Sequence, residues 1–156
     1  MSRTLRRVPP SAVATTFALS LIGLGLSTYL TVTHFDPQAL VCTDNGFVNC
    51  AAVTTSAQSR FLGIPVAFLG LGTYLVMTVL NSPWVWRAKN YWVHVSRFAI
   101  AVVSMCFVLW LLYAELIIID NICLYCTGVH IVTFALLVVL SRVSPSQLGW
   151  VKSNPE

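Results

Sequence analysis

Four apolar runs divide the chain, with short polar segments between them. The first, Ala12 to Thr33, carries no charged residue. At about 1.5 Å per residue such a run crosses a hydrocarbon core roughly 30 Å thick as one helix. It is longer than the ~7–15-residue core of a cleaved signal peptide and lacks a small-x-small cleavage site, so an uncleaved span is predicted. Gly23 and Ser27, four apart, would let another helix approach closely. The second run, about residues 65–81, opens on Pro65, whose missing N–H is harmless in a first helical turn. The third, about 93–119, is long enough to predict tilt. It holds Arg97 near one end and Glu115 near the other. The fourth spans about 122–141. The pattern predicts an all-α membrane protein, a bundle of four transmembrane helices.

The connections are unequal. Residues 34–64 are the one long polar stretch between apolar runs, and Asn45-Gly46 marks a turn within it. That turn folds the chain back between Cys42 and Cys50, so a disulfide there is sterically easy. Residues 51–61 alternate small, apolar and polar positions, which predicts a short helix at the membrane surface carrying Thr54, Thr55 and Ser56. Asp44 either tunes Cys42 or keeps the turn solvated, and solvation is the favoured reading. Residues 81–92 read as a turn rich in tryptophan, tyrosine and bases, types that favour the headgroup level. Residues 1–11 form a basic flank and 142–156 a polar tail.

Composition agrees with a membrane. The 156 residues are 57% hydrophobic and 9% charged, with a mean hydropathy of +0.80. A soluble domain carries about 25% charged residues. The net charge of +4 does not point to nucleic acid, because the bases are scattered beside the apolar runs. They fit topology instead: with both termini cytoplasmic, Arg3, Arg6, Arg7, Arg87, Lys89, Arg97, Arg142 and Lys152 lie inside, and Arg60 alone of the nine bases lies outside. This orientation, drawn from charge, puts Cys42, Cys50, Cys123 and Cys126 together on the outer face, where disulfides form and persist. Cys106, in mid-span, is predicted to be a buried small hydrophobe.

Cys123-Leu124-Tyr125-Cys126 stands at the mouth of the fourth run. Asn121 is the predicted N-cap, which would put both cysteines in the first turns of a helix, where the partial positive charge favours a thiolate. Two cysteine pairs on one face, one in a loop and one at a helix end, suit a thiol–disulfide relay through mixed disulfides. Two static disulfides stapling the outer face of a non-enzymatic scaffold, or a zinc ion held by four thiolates, remain as other readings of the same residues.

Together these features resemble the vitamin K epoxide reductase family, in its stand-alone bacterial form. The carrying residues are Cys42 and Cys50 with seven between, Thr55-Ser56 beyond them, Phe61-Leu62-Gly63-Ile64-Pro65 opening the second run, and Cys123-Leu124-Tyr125-Cys126 opening the fourth. DsbB-like proteins carry the two kinds of cysteine pair in the reverse order. The resemblance implies that Cys42 accepts electrons from a thioredoxin-fold, DsbA-like partner. Cys50 then hands them on through a transient disulfide with Cys123, and Cys126 reduces a quinone, menaquinone or ubiquinone, with no metal. It also implies that Ser56 supports the quinone end by hydrogen bonding. His130, one helical turn past Cys126, stands where the animal enzymes have a quinone-holding tyrosine, and offers a hydrogen bond or a proton. A packed, backbone-bonded histidine is the other reading. The animal enzymes' asparagine near the start of the second span has no counterpart in Pro65-Val66-Ala67-Phe68. That departure favours quinone reduction over strict vitamin K epoxide reduction. The thioredoxin-fold partner is expected to be a separate protein.

Overall fold

The computed structural model describes residues 7–42 and 46–150. The expectations placed on Arg3, Arg6, Asp44, Asn45 and Lys152 lie outside the described residues. Six helices follow in order: α1 Pro10–Phe35, α2 Cys50–Thr54, α3 Val66–Leu80, α4 Pro83–Trp86, α5 Tyr91–Tyr113, continued as a π turn over Ala114–Ile119, and α6 Leu124–Gln147. A two-residue hairpin pairs β1 Arg60–Phe61 with β2 Ile64–Pro65. Its loop residues Leu62 and Gly63 have φ of 51° and 83°, the left-handed values that a tight hairpin with two central residues needs.

Among the described residues three stretches are long and apolar enough to cross a membrane: α1, α5 with its π turn, and α6. α3 occupies the expected second span but has 15 residues, roughly 22 Å of helix. The structure thus has three spanning-length helices and a shorter apolar fourth.

Small residues set the packing. A Cβ placed on Gly23 would fall 1.9 Å from the Tyr74 ring, so α1 and α3 meet at that glycine. The Tyr74 hydroxyl shares a 2.8 Å hydrogen bond with Thr133 Oγ1 and donates to the Val129 carbonyl at 3.3 Å, tying α6 to the same point. Met77, Ala101, Leu136 and Leu140 complete the apolar core. Far from the cysteines the helices are joined by polar groups. Asn81 Nδ2 donates to Ser20 Oγ at 3.0 Å. Arg97, 1% exposed, donates from Nε and Nη2 to the Leu80 carbonyl, lies 3.6 Å over the Trp86 ring and donates to His94 Nδ1. It therefore caps the C-terminal end of α3, where the helix dipole favours a cation.

Several sequence expectations are corrected. Asn121 is not the N-cap of α6. Its amide donates to the Glu115 carbonyl and its Nδ2 to the Ile119 carbonyl, so it closes the π turn and α6 starts three residues later. The predicted surface helix over 51–61 is only α2: Thr55 ends it, and Ser56 leads a 3-10 turn over Ala57–Ser59. Serine and threonine hydroxyls bonded to local carbonyls compete with the helix there. Residues 81–92 contain the short helix α4, with Pro83 in its first turn. The predicted tail begins later, because α6 runs on through Arg142 to Gln147, burying Ser144 and Gln147. Cys106 is exposed, not buried. It lies on the outward face of α5 with Val102, Val103 and Leu109, a surface suited to lipid tails.

Candidate active site

The cysteine end of the bundle is assembled by backbone pairing. Ile122 N donates to the Phe47 carbonyl at 2.9 Å, and Asn49 N donates to the Ile122 carbonyl at 3.1 Å, a parallel bridge between Val48 and Ile122. The residue before Cys50 is thereby fixed to the residue before Cys123. Asn49 also caps α2, its Oδ1 accepting the Ala52 amide at 2.8 Å. Cys50 and Cys42 form a disulfide with Cα atoms 6.1 Å apart. Cys50 and Cys123 are 1% and 0% exposed, and pack in one cluster with Leu30 and Val53, with Cys42 and Cys126 against it.

Two tyrosines hold the approach to Cys42. Tyr29 and Tyr125 stack with ring centroids 4.6 Å apart. The Tyr29 hydroxyl donates to the Ala39 carbonyl and accepts the Val41 amide, each at 3.0 Å. The Tyr125 hydroxyl donates to the Val41 carbonyl at 2.7 Å. The segment before the loop cysteine is therefore bonded to the residue inside the Cys-x-x-Cys.

Cys123 is itself the N-cap of α6. Its Sγ accepts the Cys126 amide at 3.3 Å, where an orphan N–H of the first turn needs an acceptor. The hydrogen bond from the Cys126 side chain, aided by that amide, holds the Cys123 thiol below the ordinary cysteine range against the opposing effect of burial. Cys126 and Cys123 are free thiols. The loop pair is bridged in this structure and the helix pair is not.

Cys126 opens onto a cavity of about 330 Å³ whose walls are mostly apolar, drawn from α1, α3, α5 and α6 with the Ser56–Phe61 segment. Ser56 and His130 line it too. The Ser56 hydroxyl donates to the Val53 carbonyl at 2.7 Å, which leaves its oxygen as an acceptor. His130 is 5% exposed, and its Nδ1 has no hydrogen-bond partner among the described residues. All six residues singled out from the sequence therefore meet at one end of the bundle: Cys42, Cys50 and Cys123 in the buried cluster and its margin, and Cys126, Ser56 and His130 around the cavity.

The sequence reading missed Glu115 as a site residue. It is 4% exposed in the π turn, lines the cavity, and turns its carboxyl toward the Cys123 amide. The available signal was a lone carboxylate inside an apolar run, which is rare in a membrane span and usually functional. The two tyrosines were also missed, since tyrosine at a helix end fits the membrane boundary without any further role. Among the described residues, no group of three or more histidines, cysteines and carboxylates is placed to hold a metal ion.

A model of the vitamin K epoxide reductase family matches residues 14–141, most of the chain. That family consists of membrane oxidoreductases that use quinones as electron carriers and generally work with thioredoxin-like partners.

Proposed function

The chain belongs to the vitamin K epoxide reductase family, and from that premise we propose that it is a membrane thiol:quinone oxidoreductase that reoxidises a DsbA-like, thioredoxin-fold protein. The observation that carries the reading is the placement of Cys50 beside Cys123 in one buried cluster, with Cys126 opening onto an apolar cavity. The bundle spans the membrane four times over residues 12–141, with both termini cytoplasmic and the cysteines at the outer face. α3 serves as the second span despite its length, the bilayer thinning locally or flanking residues reaching its surface.

A thiolate of the partner attacks the Cys42–Cys50 disulfide at Cys42. A second partner thiol then resolves the mixed disulfide, leaving Cys42 and Cys50 reduced and the partner oxidised. Cys50 exchanges with a Cys123–Cys126 disulfide, and the resulting dithiol reduces the quinone. The quinone ring lies against Cys126, with His130 at hand for its carbonyl oxygens and the Ser56 oxygen placed to accept from the hydroquinone O–H once it forms, and its apolar remainder fills the cavity. For this two-electron couple about 30 mV is worth ~1.4 kcal/mol, so a modest gap between partner and quinone sets the direction.

The partner step is tested with the Cys50→Ala protein and a reduced thioredoxin-fold protein that has lost its second, resolving cysteine. The proposal expects a mixed disulfide between that protein and Cys42 after mild oxidation. Capture at Cys123 or Cys126 instead, with Cys42 left unmodified, would reverse the assigned order.

A further inference from the structure

Glu115 is a buried acid that lines the same cavity as Cys126. It is the one acid lining the cavity among the described residues, and no lysine or arginine lines it. Its carbonyl accepts the Asn121 amide two residues before Cys123. Among the described residues the other titratable groups around the cavity are His34 on α1, Tyr74 on α3, and Cys126 and His130 on α6.

The backbone is built to hold it there. α5 changes to a π turn at Ala114–Ile119, a local widening found mostly at functional positions. The Glu115 carbonyl accepts amides from both Asp120 and Asn121. Asp120 closes the turn at φ 54° and ψ 34°, a left-handed conformation that costs a non-glycine residue energy.

We propose that Glu115 is the proton carrier between the Cys123–Cys126 dithiol and the oxygens of the quinone. The inference rests on the thiol:quinone reading above. In the step, the two S–H bonds of Cys123 and Cys126 break and one S–S bond forms between them. The two electrons released reduce the quinone, and two O–H bonds form on its ring oxygens. The Glu115 carboxylate takes the Cys126 proton and gives it to one oxygen, then takes the Cys123 proton and gives it to the other. It ends as it began, and no further reactant is needed.

The test compares wild type with Glu115→Gln and Glu115→Asp. Quinone reduction driven by dithiothreitol is followed from about pH 5.5 to 8.5, and reduction of Cys42–Cys50 without quinone is followed separately. A carrier must be ionised to accept a proton, so the wild-type rate should fall toward acid pH. Glu115→Gln should lose about 10²-fold in kcat, in the range of general acid–base catalysis, with KM little changed. It should also lose the acid limb, while its loop disulfide is reduced at the wild-type rate. Glu115→Asp should restore part of the rate together with the limb. A Glu115→Gln protein with wild-type turnover and an intact acid limb overturns the inference alone. If Glu115→Gln does not fold, a folded Glu115→Asp protein lacking the limb overturns it equally. A folded wild type with no turnover of any quinone overturns the underlying reading, and this inference with it.

Discussion

The Tyr125 hydroxyl donates to the Val41 carbonyl at 2.7 Å, so the residue inside the Cys-x-x-Cys grips the backbone next to the loop cysteine. Tyr125→Phe removes this bond and keeps the ring stacked on Tyr29. The bond lies at the surface, and without it the Cys42 segment should open more often. Reduction of the Cys42–Cys50 disulfide by dithiothreitol, followed by alkylation and mass spectrometry, should speed up. An unchanged rate would mean that Tyr29 alone holds the segment.

Gly23 is the closest point of the bundle. Gly23→Ala sets a methyl carbon 1.9 Å from the Tyr74 ring, and the ring cannot withdraw without losing its bond to Thr133. Overpacking of this kind destabilises by about 1–3 kcal/mol. Gly70→Ala makes an informative contrast, because its added carbon meets Ser27 at an ordinary 3.7 Å. Thermal unfolding in detergent should lower Tm for Gly23→Ala and leave it near wild type for Gly70→Ala.

The buried Arg97 stacks on Trp86 while bonding to the last turn of α3. Lysine lacks the planar fork needed to do both. Arg97→Lys should therefore lose about 2–3 kcal/mol, the scale of hydrogen bonds to a charged group. Tm for this variant should fall nearly as far as for Arg97→Met, and a wild-type Tm for the lysine protein would refute the stacked-clamp account.

The long apolar runs and the cysteine spacing were legible because each is a one-dimensional pattern. The runs gave α1, α5 and α6 to within a few residues at most ends. What one dimension does not carry is which face meets which. In a helix apolar all round, nothing in the sequence tells an outward Cys106 from an inward Ala101. Glu115 could be seen as an acid in an apolar run, but its position beside Cys123 depends on the π turn, which no periodicity announced. Asn121 looked like an N-cap because its residue type suits one. The competing demand was the bridge from Val48 to Ile122, a tertiary contact that uses the backbone where the helix would have begun. Past residue 141 the polar composition suggested a tail. Burial of Ser144, Gln147 and Leu148 against the bundle keeps that segment helical instead.

Cys123 should ionise at lower pH than an ordinary cysteine, because the Cys126 side chain and amide both stabilise its thiolate. As pH rises, its thiolate should appear first, at lower pH than that of an ordinary thiol. Ultraviolet absorbance of the thiolate, titrated in a Cys106→Ala background with the loop disulfide intact, should show this early step. Cys126→Ala removes the side-chain bond and keeps the amide, so the step should move to higher pH. A first step at or above the free-thiol value would remove the assigned role of the helix N-terminus.

The central claim is that electrons leave through Cys126. It is tested most directly by quinone reduction in purified, detergent-solubilised protein driven by dithiothreitol, wild type beside Cys126→Ala. The account predicts turnover in the wild type and none in the variant, which should accumulate a Cys50–Cys123 disulfide. Turnover of the quinone by Cys126→Ala at the wild-type rate would contradict it.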